Sequence, residues 1–442
     1  MNGPAERTGE GEALNGRVGP LTALLVALLV LVGASSCALL ESDDPSGAKP
    51  TSSATAAPRE VVSSIRRTLA LRQSGVRRQD RGRFERSLLP GRPALQVQQS
   101  DYFDNLTQLP LEVFEYDFDP RDLLRVEDSY WVVVEVHLQL AGYDSVPVVA
   151  RDRYLFEPGG GPKSRLRLAS VTDEAWEARN RVVSQPWDSG AIQVRQAAGV
   201  LGIFDDASAG AAYGLLDSAQ RAISDVSAVV PFDWSHQVVL YALSGAGGFA
   251  SVGDLPGGDP TALDAVAVPV AADPRDPGAG VASTRVVLNP RIVETADAPR
   301  TDPEGRKRDR LVRHEVAHVA VGELDDDAPV WLAEGLAEWV SVRPLAPEDR
   351  ALPEAALAAA RAALAAGRVA MPSDEAFNAD GSTGHYGLSW WAVEYLANSF
   401  GEQVLWTLVE GASDEPALER LVGLDEDRLA MRAARLMVAT YD

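Results

Sequence analysis

Residues 311 to 320 read LVRHEVAHVA, with His314 and His318 four positions apart, Glu315 beside the first and apolar residues around them. On an α-helix this spacing sends both imidazoles from one face a turn apart, where each can offer a nitrogen to a single ion at about 2.0–2.1 Å. Glu315 is then placed to take a proton from water at that ion without being a ligand itself. Val312, Val316, Ala317 and Ala320 give the helix an apolar setting, and burying two imidazoles and a carboxylate without partners costs several kcal/mol. The chain must therefore fold so that another element returns polar groups to this face.

A catalytic zinc takes three protein ligands and keeps one position open, and three acids compete for the third place. Asp325 lies seven residues after His318 and follows Gly322, where a turn would bring the carboxylate back. Glu334 and Glu338 sit one turn apart in PVWLAEGLAEW. There Trp331, Leu332, Leu336, Trp339 and Val340 predict a helix that buries its apolar side chains on the first and turns both acids towards the histidines. This stretch resembles the gluzincin metallopeptidases, the thermolysin-like and aminopeptidase-like group, in many of which HExxH is followed by a helix reading WLxEG. Trp331, Leu332, Glu334 and Gly335 match, across a connection of fifteen residues that is shorter than in the aminopeptidases. The resemblance implies a Zn2+ cofactor and Glu334 as third ligand. Glu338, one turn on, is sited to accept a hydrogen bond from the far nitrogen of His314 and fix its orientation.

Acyl transfer also needs a donor for the developing oxyanion. STGHYGLSWWAVEYLANSFG, from Ser382, is similar to the C-terminal helix of bacterial proteins of this group, which often begins with a tyrosine facing the metal. That resemblance points to Tyr386, or His385 beside it.

The N-terminus addresses location. Arg7 and Arg17 precede an uncharged stretch from Val18 to Leu40, and Glu41, Asp43 and Asp44 follow it. The apolar part, Leu21 to Val32, has the length of a signal-peptide core, and the whole stretch approaches the roughly 20 residues that span a bilayer. Basic residues before it and acids after it place the rest of the chain on the extracytoplasmic face of the membrane. Cys37 is the one cysteine, which excludes a disulfide within the chain. Its setting, ASSC, resembles a bacterial lipobox, with Ala34 where leucine is usual. Both a lipid carried on Cys37 and an uncleaved anchor are consistent with it. A formal net charge of -23 argues against nucleic acid as a partner.

The remaining chain divides into segments. Residues 1–40 read as signal peptide or anchor, 41–57 as a small, polar, flexible tether, 58–184 as one domain and 185–442 as another. In the first, Val61, Ile65 and Leu69, then Tyr102, Phe103, Leu106 and Leu109, recur at helical spacing, and YWVVVEVHLQL and KSRLRLASV alternate as strands. Helices followed by antiparallel strands make an α+β domain similar to the nuclear-transport-factor-like or cystatin-like cone, in which a curved sheet wraps a helix. The arginines between Arg59 and Arg92 read as a solvated basic face, and no chemistry is assigned to this half. SQPWDSG, from Ser184, punctuates the two domains. Beyond it, Leu215, Ala219, Ala222 and Val226 predict a helix, HQVVLYAL, DAVAVPV and TRVVLNP short strands, and the pattern from about Arg308 onward is mainly helical.

The expected fold class is thus α+β, a cone-like domain followed by a zincin-like one with a small sheet and a mainly helical C-terminal half. The expected activity is that of a membrane-tethered zinc peptidase acting on protein or peptide substrates; the alternative is a catalytically inactive scaffold lipoprotein that keeps the zincin fold. One outcome is testable from the sequence alone. If ASSC is a working lipobox, Cys37→Ser leaves an uncleaved, unlipidated precursor. Unchanged mobility, with no labelled lipid on the native protein, identifies a simple anchor instead.

Overall fold

The computed structural model describes residues 58–160, 165–245, 263–326, 328–411 and 417–442. The export segment, Cys37 and the tether lie outside them. Among the described residues no helix is long and apolar enough to cross a membrane.

Three helices open the described chain, α1 (Arg59–Arg77), α2 (Arg81–Glu85) and α3 (Pro93–Gln108). They precede an antiparallel sheet of β1 (Leu111–Asp117), β2 (Leu124–Val126), β3 (Ser129–Leu140), β4 (Val148–Pro158) and β5 (Leu166–Ser170), ordered β1-β3-β4-β5 with β2 also on β3. The alternation read in β3 is observed. Val132, Val134, Val136, Leu138 and Leu140 are buried, with Glu135, His137 and Gln139 on the other face. Register shifts at Leu111/Val113 and Leu155/Phe156 interrupt the ladders, and such irregularities bend strands and increase their twist. The sheet curls into a half-barrel, in which Ile65 and Leu69 of α1 pack against Val132, Val134, Phe156 and Leu168.

Two short helices, α4 (Glu174–Asn180) and α5 (Pro186–Ser189), lead to a second sheet. Its strands are β6 (Gln193–Ala197), β7 (Val200–Phe204), β8 (Val238–Ala242), β9 (Ala265–Ala271) and β10 (Val281–Leu288), ordered β6-β7-β8-β10-β9. The centre is parallel and both edges antiparallel. Helix α6 (Ala212–Ser227) joins β7 to β8 and buries Leu215, Ala219, Ala222 and Val226, the positions its period marks. Every residue of β7 and β8 is buried, because this sheet has a core on each side. Val200, Phe204, Val238 and Leu240 face the helical half, whereas Leu201, Ile203, Val239 and Tyr241 join the core shared with α3 and the half-barrel.

The C-terminal half follows with α7 (Pro290–Val293), α8 (Pro303–Val321), α9 (Glu323–Asp326), α10 (Val330–Val342), α11 (Glu354–Ala365), α12 (Ser382–Phe400), α13 (Gln403–Glu410), α14 (Ala417–Val422) and α15 (Glu426–Tyr441). The chain is therefore mixed α and β, a curled antiparallel sheet followed by a mainly helical half.

The described residues belong to one compact unit, and the boundary expected near 184 falls between the two sheets. Polar contacts stitch them. Asn105 of α3 donates to the carbonyls of Trp187 and Gly190 and accepts from the Ile192 amide. Asp144, in the turn after β3, accepts from the Leu140 amide, the Ser283 hydroxyl and the guanidinium of Arg285 on β10, and the Asp144 and Arg285 side chains are buried. Removing one partner of a buried pair leaves the other charge uncompensated, at a cost of about 3–5 kcal/mol. Asp144→Ala should lower the stability measured by denaturant unfolding by that order, and a loss below about 1 kcal/mol, the worth of an exposed pair, would show that the contact does not hold the halves together.

Candidate metal centre

Helix α8 forms where the sequence supplies its ends. Asp302 stands at the N-cap with Pro303 in the first turn, and Gly322 ends the helix with a φ of 64°, which a glycine adopts without strain. The helix is held in the helical half through Asp309, which accepts from Ser218 and Arg221 of α6 and from Arg308. On its buried face lie Val312, His314, Glu315 and Val316.

Helix α10 packs on this face as the apolar pattern predicts, with Trp331, Leu332, Leu336, Trp339 and Val340 buried. Arg313 Nε of α8 donates to the Ser341 carbonyl of α10 at 2.8 Å. An acceptor from elsewhere in the fold starts this helix, since the Val330 amide gives its hydrogen to Asp374 Oδ1 at 2.9 Å. Gly335, the glycine of WLAEG, lies so close to α12 that a β-carbon there would stand 2.5 Å from the Ser389 carbonyl oxygen. The motif glycine is thus a packing requirement that seats α10 at the depth Glu334 needs.

The result is a triangle of ligand atoms. His314 Nε2 lies 3.2 Å from His318 Nε2 and 3.0 Å from Glu334 Oε2, and His318 Nε2 lies 3.6 Å from the same oxygen. An ion bonded at about 2.0–2.1 Å in tetrahedral geometry separates its ligands by about 3.3 Å, so three corners of such a site are formed. Among the described residues this is the group of three metal-ligating side chains that can hold an ion. His137 lies on β3, with Nε2 3.8 Å from Glu135, and His236 bonds Ser227; neither approaches the cluster.

Each histidine turns its other nitrogen towards a carboxylate. His318 Nδ1 lies 2.5 Å from Asp325 Oδ2, so the reversal at Gly322 does return Asp325, but to the back of the ring and not to the ion. Sequence reading weighed Asp325 as a competing ligand and missed this position; the signal available was an acid seven residues past the motif, just after a turn. His314 Nδ1 faces Glu338 Oε1 at 3.7 Å, beyond hydrogen-bond length, and Glu338 is held by Arg310 at 2.6 Å. Glu338 therefore lies on the far side of His314, but the hydrogen bond expected between them is not formed.

Electrostatics favour a cation here. Burial opposes protonation of His318, but Asp325 and Glu334 outweigh it and hold the ring well above the ordinary imidazole pKa. His314 is raised as well, its burial outweighed by Glu334 and Glu338. Burial works to raise Glu334, yet the two imidazoles hold it well below the usual carboxylate range. The carboxylates that would draw protons onto these rings are the ones that make the pocket attractive to a metal ion, which takes the protons' place.

Glu315 differs from the other acids. It is buried, 4% exposed, has no hydrogen-bond partner among the described residues, and its pKa is raised, burial being the main cause. Tyr386 of α12 sits against the cluster, its ring centroid 6.2 Å from that of His314, and its hydroxyl donates to Asn378 Oδ1 at 3.2 Å. Burial, aided by Glu334, Glu315 and Glu338, pushes its pKa well above 10. His385, the neighbour considered beside it, turns Nδ1 to the Phe377 carbonyl at 2.8 Å.

Metal affinity separates these roles. Glu334→Ala should abolish tight binding, while Asp325→Ala and Glu338→Ala should each weaken it by about 10- to 100-fold, as losses behind a ligand do. Competition against a chelating dye measures all three, and an Asp325→Ala protein that binds no metal beside a harmless Glu334→Ala would exchange the two assignments. No protein-family model matches this chain and no curated protein matches it, so the geometry of the cluster is the ground for a functional reading.

Proposed function

We propose that the protein is a zinc-dependent peptidase of the extracytoplasmic face, tethered by its N-terminal segment and hydrolysing peptide bonds in protein or peptide substrates. The observation that carries this reading is the conjunction of a tetrahedral-sized triangle of two imidazoles and a carboxylate with a neighbouring buried carboxylate, Glu315, that has no hydrogen bond among the described residues. A metal held only for structure is closed by four protein ligands and needs no base beside it. Two nitrogens and one oxygen suit zinc, and six-coordinate iron(II) accepts the same donor set; the carboxylate of Glu315 beside the open position, in the order HExxH, favours zinc and hydrolysis.

When bound, zinc polarises a carbonyl and lowers the pKa of water to about 7. Glu315 takes a proton from water and delivers it to the leaving amine, a task for which a carboxylate shifted towards neutrality is suited. Tyr386 keeps its proton, since its pKa is raised well above 10, and so remains a donor for the oxyanion. Asp325 holds the His318 ring in one orientation, Glu338 faces the outer nitrogen of His314, and Asn378 accepts the tyrosine's hydroxyl hydrogen.

The test uses the full-length protein. One equivalent of zinc should accompany cleavage of an unbiased peptide library, and Glu315→Gln should keep that zinc while losing about 10²- to 10⁴-fold in turnover. Near-normal turnover of the variant would remove Glu315 from the mechanism. One equivalent of zinc in a wild-type protein that cleaves nothing would favour the inactive scaffold.

A further inference from the structure

Arg72, one of the arginines that read as a solvated basic face, is in fact buried, with 1% of its surface exposed. Its Nε donates to the Tyr116 hydroxyl at 2.8 Å, its Nη2 to Gln99 Oε1, and its Nη1 has no partner. The guanidinium stacks at 4.3 Å over Phe84 and 5.1 Å over Tyr102, and no carboxylate pairs with it among the described residues. A buried cation without a counter-charge is costly. Its uncompensated charge stands on the wall of a cavity of about 170 Å³ between α3, the inner face of the half-barrel and the second sheet.

A second guanidinium reaches the same cavity. Arg285 of β10 pairs through Nη2 with Asp144, and its Nε and Nη1 make no hydrogen bond that meets ordinary geometry among the described residues. The rest of the wall is largely apolar, with Val136, Leu138, Val148, Val171, Val270 and Trp187. The acids on it are engaged elsewhere. Asp152 accepts from the Arg153 amide at 2.6 Å, Glu177 from the Asp173 amide at 2.6 Å, and Asp188 from the Gln185 amide at 2.8 Å. Burial raises Asp188 to about 6 and Asp152 to about 7, and neither forms an ion pair with Arg72 among the described residues.

We propose that this cavity binds a small organic monocarboxylate, with the carboxylate answering the charge of Arg72 and an apolar body lying along β3 and β4. A cavity near 150 Å³ accommodates a benzene ring, so the ligand has on the order of ten non-hydrogen atoms. This site is distinct from the metal centre, which lies in the helical half, and the proposal does not depend on the chain being a peptidase.

The probes are benzoate and hexanoate, with benzamide and benzylamine as neutral and cationic counterparts of benzoate, titrated into the full-length protein by calorimetry and followed by thermal shift. Benzoate and hexanoate should bind, and benzoate should bind at least about tenfold more tightly than benzamide, as a charge-assisted contact requires. Val136→Phe, which fills the cavity, should abolish binding, and Arg72→Gln should remove the preference for the acid; unchanged far-UV circular dichroism and metal content certify each variant. The preference among the three ring compounds is read on the wild-type protein, so it stands even where a variant fails to fold. Equal binding of benzamide, tighter binding of benzylamine, no binding of either acid at about 10 mM, or full binding by a folded Val136→Phe protein would each overturn the proposal.

Discussion

The arrangement depends on one constraint, that two imidazoles and a carboxylate buried between α8 and α10 must satisfy one another. His314, His318 and Glu334 meet within 3.6 Å because each helix is held independently of them. Helix α8 is fixed to α6 through Asp309, and α10 is drawn down on α12 where Gly335 passes the Ser389 carbonyl. The outer nitrogen of each ring then faces an acid, Asp325 at the turn after α8 and Glu338 one turn along α10. A ligand held as His318 is by Asp325 is oriented before an ion arrives, and affinity for a metal would gain from that pre-organisation.

The second sheet is the common wall of the molecule. One face of β7 and β8 supports the helices that carry the metal cluster, and the other closes the core shared with α3 and the half-barrel. This explains why the strands are short and apolar throughout and why the polar groups that cross between the halves, Asp144 with Arg285 and Asn105 with the α5 segment, are buried and hydrogen-bonded. It also explains the separation of the two sites. Arg285 belongs to the half-barrel side of β10, whereas the neighbouring Val286 and Leu288 face the helices.

What was legible in the sequence was what periodicity or spacing encodes. HEVAH placed His314 and His318 on one face, and the apolar pattern around WLAEG placed Glu334 and Glu338 opposite them. The alternation in β3 was plain because one of its faces is more polar. Strand β7, VLGIF, left no alternation to read because both its faces are buried, and β6 is short and polar. The bracing role of Asp325 depends on the left-handed backbone at Gly322, a tertiary detail that spacing hints at but does not determine. Arg72 was misread as solvated because an arginine-rich helix normally turns its charges outward, and only the fold shows one turned in.

The central claim is that His314, His318 and Glu334 together hold one zinc ion. X-ray absorption at the zinc edge of the full-length, zinc-loaded protein tests it most directly. The account predicts about one ion per chain, two imidazole nitrogens at about 2.0–2.1 Å, an oxygen shell from the carboxylate and solvent, and no sulfur. A shell with three imidazoles or none, or a protein that retains no zinc after dialysis, would contradict it.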